Sequence, residues 1–493
     1  MSLHQQDIKE LKNAPTDISA IGIRYLSSYL KSKRHSVKII FLPKPYGQRE
    51  KKNELRQINK LITDICPDLI GVSLMSNNFY RAIELTKMIK KIFNIPVIWG
   101  GIHPTIKPVE CLEYADMVCV GEGELALEKL LTNKTHLTGG QSLDVEGIWY
   151  KKEDQIVETG VAPLIFNIDE IPYPDYDFSD HYIIHKGILQ KLEIDIFRKY
   201  YPASSNDHRL ISTRGCPHAC AYCCNSVFRS MYGIKYLRKR SVKNVINEMV
   251  EVKKRFSFIK SFKLMDDSFT TNSNEWLREF SQQYKEKINL PFFCLISPLT
   301  VNKEKLSYLI DCGLHTVQIG LQSGSDRINK DIYLRHATSK IFLETVNLLE
   351  THKDKIELII DVITDNPYET DKDLIETVSV LNKIKRPFRL ALFSLAFYPG
   401  TALYNKVTED KIPINEKEYL FKEFHLFRKT YLNKLIFLVP FLPEERVNRF
   451  IEERDRFLMK FWLGSIFFLY LNKNKFPGFI STIFSKVKNF FKL

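Results

Sequence analysis

Arg214-Gly215-Cys216-Pro217-His218-Ala219-Cys220-Ala221-Tyr222-Cys223 sets three cysteines at gaps of three and two residues, a spacing that lets one short loop wrap three thiolates around an iron-sulfur cluster. Cluster ligation normally takes four thiolates, so three leave one iron open to a small molecule, as reductive chemistry on a bound ligand requires. The competing readings are a structural zinc loop or a chance run of buried thiols. A closed zinc site needs a second ligand pair, whereas Cys66, Cys111, Cys119, Cys294 and Cys312 are scattered singly through apolar segments. Cys224 adjoins the triplet but breaks its spacing and reads as a spare thiol.

Downstream of the triplet, and starting with the run just before it, six apolar runs each precede a helix candidate: Leu210 to Ser212, Phe262 to Met265, Phe292 to Leu295, Thr316 to Ile319, Ile356 to Val362 and Leu390 to Leu395. Six such units predict a partial barrel with its chemistry at the carboxyl ends of the strands. Asp266-Asp267 follows the second run, a carboxylate pair suited to an ammonium group or to capping a helix. Gln322 follows the fourth among small residues, Glu369-Thr370 after the fifth starts a helix, and Tyr398 lies in the turn Phe397-Tyr398-Pro399-Gly400-Thr401 after the sixth.

Upstream, Ile39-Ile40-Phe41, Leu69 to Val72, Val97-Ile98-Trp99 and Met117 to Val120 are short buried-strand runs separated by amphipathic stretches such as Glu54 to Ile65 and Phe79 to Phe93. This predicts an open, doubly wound sheet with ligands beyond the strands' carboxyl ends. Those ends read Ser73, then Gly100-Gly101-Ile102-His103-Pro104, then Gly121-Glu122-Gly123-Glu124, where glycine permits either a close backbone approach or a tight turn. Val145 to Val157 alternates as a hairpin, and Pro163 to Pro174 reads as a linker. The expected organisation is a doubly wound domain over 1–145, hairpin and linker over 146–190, the barrel over 191–410, and a helical C-terminal region over 411–493.

The triplet with Tyr222 just before its third cysteine, followed in order by the strand-end segments above, resembles the radical S-adenosylmethionine (SAM) superfamily over about residues 205–410. The upstream set resembles the cobalamin-binding domain that precedes the barrel in one branch of it. The resemblance implies an α/β chain with a Rossmann-like N-terminal domain and a partial (β/α)6 TIM-like barrel. It implies a 4Fe-4S cluster on Cys216, Cys220 and Cys223, and SAM contacts at Tyr222, Asp266, Asp267, Gln322 and Tyr398. Where cobalamin is bound, its contacts fall at Ser73, Gly100, Gly101, Gly121, Glu122 and Gly123. The implied reaction is reductive cleavage of SAM, with electrons from a donor such as flavodoxin or ferredoxin, to modify an unactivated carbon of a lipid or small natural product. Methyl transfer is the outcome if cobalamin takes part. Two features depart from the cobalamin pattern: Leu42-Pro43-Lys44-Pro45-Tyr46-Gly47 has no imidazole where methionine-synthase-like domains carry the axial histidine, and no apolar first strand precedes Ile18. A cobalamin-independent cyclisation, rearrangement or oxidation enzyme, and a non-catalytic cobalamin or redox sensor, are the alternatives.

Composition frames these readings. At 493 residues, 44% hydrophobic and 26% charged, the chain is an ordinary globular one with room for two to four domains. Its nine cysteines and polar opening, Met1-Ser2-Leu3-His4-Gln5-Gln6-Asp7, point to a reducing cytoplasm rather than secretion. The net charge of +14 concentrates at one end: from Arg456 to Leu493 there are seven Lys/Arg, no Asp or Glu, and eleven aromatic residues. Phe479, Ile480, Ile483, Phe484, Val487, Phe490 and Phe491 recur at helical spacing after Pro477-Gly478, predicting a basic amphipathic helix. Such a helix either packs on its own protein or attaches peripherally to the inner face of an anionic membrane. No nucleic-acid-binding module is visible.

Overall fold

The computed structural model describes residues 18–44, 49–132, 144–201, 206–414 and 426–471. The predicted basic helix after Gly478, the stretch before Ile18 and Pro45-Tyr46-Gly47 lie outside these residues.

Strands β1 (Ile39–Phe41), β2 (Ile70–Ser73), β3 (Val97–Gly100) and β4 (Met117–Cys119) match the four predicted upstream runs. Three of them, β2, β3 and β4, form a parallel sheet, with Ser73 opposite Gly100. Val97, Ile98 and Trp99 are buried, as a strand covered on both faces requires. The hairpin forms as β5 (Ile148–Lys152) and β6 (Gln155–Val157), and β5 extends the sheet by pairing antiparallel with β4.

The exception is β1, expected in this sheet. It pairs instead in parallel with β7 (His181–His185), which pairs antiparallel with β8 (Ile188–Lys191). The side chains of Ile39 and Phe41 are what carry it there: they are buried in the same core as Ile183, Phe197 and Leu210, and the Arg24 guanidinium lies 4.7 Å over the Phe41 ring. Residues expected as linker therefore contribute a small sheet of their own.

Downstream, β9 (Asp207–Leu210) is followed by the short pair β10 (Thr213–Arg214) and β11 (Arg238–Lys239), then β12 (Ser261–Leu264), β13 (Phe292–Ile296), β14 (Leu314–Gln322), β15 (Glu357–Thr364) and β16 (Arg389–Ser394). Six of these, β9 and β12 to β16, form one parallel sheet in sequence order, open between β9 and β16. Alternate residues, among them Phe262, Leu264, Val317, Ile319, Leu358 and Ile360, are buried against helix residues such as Val245, Phe280 and Phe342. Their neighbours Lys263, Gln318 and Asp361 consequently face the concave side.

The C-terminal helices Tyr431–Leu438, Glu444–Glu452 and Phe457–Leu471 pack on this barrel, burying Leu435, Val447 and Leu463 in its core. Asp365, in the left-handed conformation (φ 64°) just past β15, pins them by accepting the Arg428 N–H at 3.0 Å and the Asn433 amide at 2.9 Å.

Candidate functional site

The cysteine loop leaves the barrel between β10 and β11, whose pairing closes the base of the excursion. At its entry Gly215 has φ 93°, and a Cβ there would meet the Tyr236 carbonyl oxygen at 2.7 Å. Only glycine fits that turn. The loop is tied to the far side of the barrel by Ala221 N–H donating to the Tyr333 carbonyl (2.8 Å) and by the Ala221 carbonyl accepting from Leu403 (2.9 Å). Tyr222 meets Tyr333 edge-on at 5.0 Å and lies beside the Cys220 thiol. Within the loop Cys223 N–H donates to the Cys220 carbonyl at 3.0 Å, and the helix Asn225–Tyr232 follows at once.

Burial pushes the Cys216 thiol up to about 12 and raises Cys220, while the Asp267 carboxylate beside Cys216 and Cys223 opposes ionisation further. The three thiols are free and half-buried on one short loop, the number and type of donor that hold an iron-sulfur cluster with one iron left open. Among the described residues no group of three or more His, Cys, Asp or Glu converges on a single metal ion. A cube of four irons spreads its ligands over separate corners and needs no such convergence. Cys224 lies against Cys223, outside the triplet.

The two adjacent aspartates part company. Asp266 is fully buried, its Oδ1 accepting from Ser212 N–H (2.8 Å), Ser212 Oγ (2.9 Å) and Thr213 Oγ1 (2.6 Å), so it staples the end of β12 to the strand that launches the loop. Asp267 opens to the cavity beside Asn225 and the cysteines, yet is ringed by enough protein to raise its carboxyl. Strand parity already carried this distinction: Phe262, Leu264 and Asp266 share the covered face, and Lys263, Met265 and Asp267 share the concave one. Gln322 ends β14 at φ 66°, past an irregularity in the register, and its amide lies over Gly320.

Arg335 carried no signal in the sequence, since it is one cation among 72 and lies off the strands. Its Nη2 donates to the Gly320 carbonyl at 2.7 Å, its Nη1 is buried without a partner, and its charge bears on Cys220, Tyr222 and Asp361. Asp361, on the concave face of β15, accepts from Gln318 Nε2 at 2.7 Å, and burial pushes it up to about 7. Tyr398 packs beside residues of the upstream sheet's core, and a Cβ at the nearby Gly400 would lie 3.8 Å from Ile106 and 3.6 Å from Val227.

The upstream candidates sit at the carboxyl ends of β2, β3 and β4. Ser73 is exposed there, with Met75 next to it at 58% exposure. Gly101 (φ 100°) lets the chain approach Leu74, whose carbonyl would meet a Cβ at 2.8 Å, while Gly100 has only Cys119 near it. At Gly121 (φ 90°) the space of a side chain is filled by the Tyr232 hydroxyl, which also accepts the Glu122 N–H at 3.1 Å. A Cβ at Gly123 would touch Leu26 and Cys119 at ordinary contact distance, 3.6 Å.

The Glu122 side chain, in the loop expected to contact cobalamin, is paired with two guanidinium groups. Its carboxylate accepts from Arg214 at 2.9 Å and Arg238 at 3.2 Å, and Glu124 accepts from Arg214 at 2.7 Å. Arg214 is two residues before Cys216, so this clamp joins the loop after β4 to the root of the cysteine loop. His103 is fully buried, with Nδ1 3.0 Å from Ser76 Oγ and its ring 4.7 Å from Phe79, and burial lowers it to about 4. Lys44 is paired with Glu54 at 2.6 Å. Ser73 and Gly100 leave these strand ends open to a ligand such as a corrinoid, and neither Leu42 to Lys44 nor the buried His103 offers it an imidazole.

Comparison with known proteins agrees with both halves. The B12 binding domain family matches residues 11–131, and the Radical SAM superfamily matches residues 210–381. An uncharacterized methyltransferase of Pyrococcus horikoshii is 28% identical over 391 residues, covering 78% of this chain and 77% of the relative. The anaerobic magnesium-protoporphyrin IX monomethyl ester cyclase of Rubrivivax gelatinosus is 23% identical over 469 residues, covering 87% and 76%. Among solved structures, the radical SAM methyltransferase TsrM of Kitasatospora setae, with cobalamin and a 4Fe-4S cluster bound, superposes with a TM-score of 0.63 at 16% identity, covering 80% of this chain and 72% of that one.

Proposed function

Because the chain belongs to the radical SAM superfamily, in the branch that carries an N-terminal B12-binding domain, we propose that this radical SAM enzyme is a cobalamin-dependent methyltransferase acting on an unactivated carbon. The observation that carries the reading is the clamp of Arg214 and Arg238 on Glu122 and Glu124, which holds the carboxyl-end loops of the two sheets together, so that ligands on both would face one another. Cys216, Cys220 and Cys223 would hold the cluster. When bound, the cluster and SAM supply a carbon radical able to take hydrogen from an unactivated position, and cobalamin supplies the methyl group.

The protein's part is placement. Asp267 would accept the methionine ammonium of SAM, and the unpartnered Nη1 of Arg335 would meet the carboxylate of SAM. Gln322 and Tyr222 would add further contacts to SAM, while Asp266 acts at one remove by fixing Ser212 and Thr213. Tyr398 closes the seam toward the upstream sheet. Met265, Leu299 and Leu334, exposed despite being apolar, follow β12, β13 and the turn before Arg335, which favours a lipid or an apolar small natural product as substrate. Electrons come from a separate carrier such as flavodoxin or ferredoxin, and the basic, aromatic end of the chain supports peripheral attachment to the inner face of the membrane.

A second reading, ring closure without methyl transfer, is favoured by the similarity to the R. gelatinosus cyclase. Anaerobic reconstitution with iron, sulfide and hydroxocobalamin, then dithionite and SAM, separates the two. 5'-Deoxyadenosine formed by protein holding stoichiometric cobalamin supports methyl transfer; deoxyadenosine without bound cobalamin supports the second reading. No deoxyadenosine at full cluster loading refutes both and leaves a cobalamin or redox sensor.

A further inference from the structure

Three carboxyl side chains stand on the concave faces of the barrel strands: Asp207 on β9, Glu357 on β15 and, nearer the carboxyl ends, Asp361. The first two are paired, Asp207 with Lys263 at 2.5 Å and Glu357 with Arg389 at 3.0 Å. Asp361 has no such cation. Among the described residues its one hydrogen bond comes from the neutral Gln318 amide, at 2.7 Å on Oδ1, and the Arg335 guanidinium acts on it only from beyond ion-pair distance. Burial without a paired charge pushes the carboxyl up to about 7. The group is also reachable. Ile360 and Val362 on either side are fully buried against the helices, so the surface that Asp361 keeps opens into the barrel. Its partners in register are Gly320 on β14, where the Gln322 amide takes the space of a side chain, and Ala391 on β16, which offers only a methyl group. Two residues further on, Ile363 shares a cluster with Ala221 and Tyr222 of the cysteine loop. Asp361 therefore lies one step inside the barrel from the cluster loop.

We propose that Asp361, its Oδ1 fixed by Gln318, is the subsite that holds a basic nitrogen of the substrate, an amine whose N–H group donates to Oδ2. The inference rests on the enzymatic reading above and names the polar group carried by an otherwise apolar substrate. An amine supplies both the positive charge and the donor that this carboxylate lacks. A hydroxyl supplies the donor alone, and a carboxylate would bring like charge to it. The apolar Met265, Leu299 and Leu334 at the strand ends would then cover the rest of the molecule, the usual division between a few placed polar groups and an apolar lining.

The test is isothermal titration of the full-length protein with n-hexylamine, 1-hexanol and hexanoate at pH 8, after anaerobic loading with iron, sulfide, hydroxocobalamin and SAM and without reductant. The wild type should bind hexylamine at least about tenfold more tightly than hexanol, the margin of a hydrogen bond to a charged group, and hexanoate more weakly than either. Asp361→Asn keeps the shape of the side chain and an oxygen for Gln318. It should bring hexylamine to the level of hexanol while its iron content and its affinity for SAM stay at the wild-type values. Equal binding of hexylamine and hexanol by the wild type, or an amine preference kept by Asp361→Asn, would overturn the subsite. An amine preference kept together with a tenfold loss of SAM affinity in Asp361→Asn would assign the carboxylate to SAM instead. Absence of deoxyadenosine from the wild type after dithionite would overturn the enzymatic reading by itself, since the titration reads Asp361 without turnover.

Discussion

Glu122→Gln should lower stability by about 2 kcal/mol, a figure that follows from where its carboxylate sits. Arg238 is 4% exposed and Arg214 15%, with Glu122 between them at 17%. Removing one member of a fully buried pair costs about 3–5 kcal/mol, because it strands a charge in a poorly solvated site. Three features reduce that here. Glutamine keeps an oxygen that accepts one N–H, Arg238 still donates to the Ile165 carbonyl at 2.8 Å, and Arg214 keeps Glu124. Roughly half the fully buried figure remains, about a thirtyfold change in the folding equilibrium. Urea denaturation of the reduced apoprotein measures it, with Glu146→Gln as control, since Glu146 and its partner Lys129 are both 58% exposed and their pairing should count for less than about 0.5 kcal/mol. Glu122→Gln/Glu124→Gln should lose more than the sum of the single changes, because each substitution leaves Arg214 to the other carboxylate. If Glu122→Gln loses no more than the surface control, the clamp is a surface contact and does not join the two halves.

Cys216→Ala, Cys220→Ala and Cys223→Ala should each abolish cluster assembly and deoxyadenosine formation, read by iron content and product analysis, whereas Cys224→Ala should retain both. Arg335→Gln should raise the KM for SAM at least about tenfold in the deoxyadenosine assay without changing iron content, in keeping with a lost charge-assisted hydrogen bond, and Arg335→Lys should recover part of it. Glu369, whose Oε1 accepts from Ser323 Oγ at 2.9 Å, is pushed up to about 8 by burial. Between its ordinary value and about 8 the folded protein keeps a proton that the unfolded chain has released, so this group makes stability fall as pH rises through that window. Glu369→Gln should remove that slope and leave the variant more stable than wild type at pH 8, checked by melting curves across the range.

Much of the fold was legible because burial on both faces turns parallel strands into short apolar runs: five of the six barrel runs fall on strands of the parallel sheet, whereas of the first only Leu210 does, its strand being the polar Asp207–Leu210. What failed was the partner of β1. Ile39-Ile40-Phe41 has the composition of a buried strand, but three residues hold no information about which neighbour will cover them, and the choice was settled by Arg24, Phe197 and His181, far off in sequence. At the site, parity was an unused signal. Carrying the covered register of Phe262 and Leu264 forward assigns Asp266 to structure and Asp267 to the cavity, and the same count on β15, where Leu358, Ile360 and Val362 are covered, turns Asp361 inward. No count finds Arg335, which reaches Gly320 from a turn after the strand. Nor does one distinguish the two uses of Glu122, since a carboxylate in a glycine loop at a strand end reads the same whether it meets a ligand or a guanidinium. Only the fold supplies Arg214 and Arg238, and with them the reason that loop carries two glutamates: the charges that tie the cofactor ends of the two sheets together are built into the loop itself.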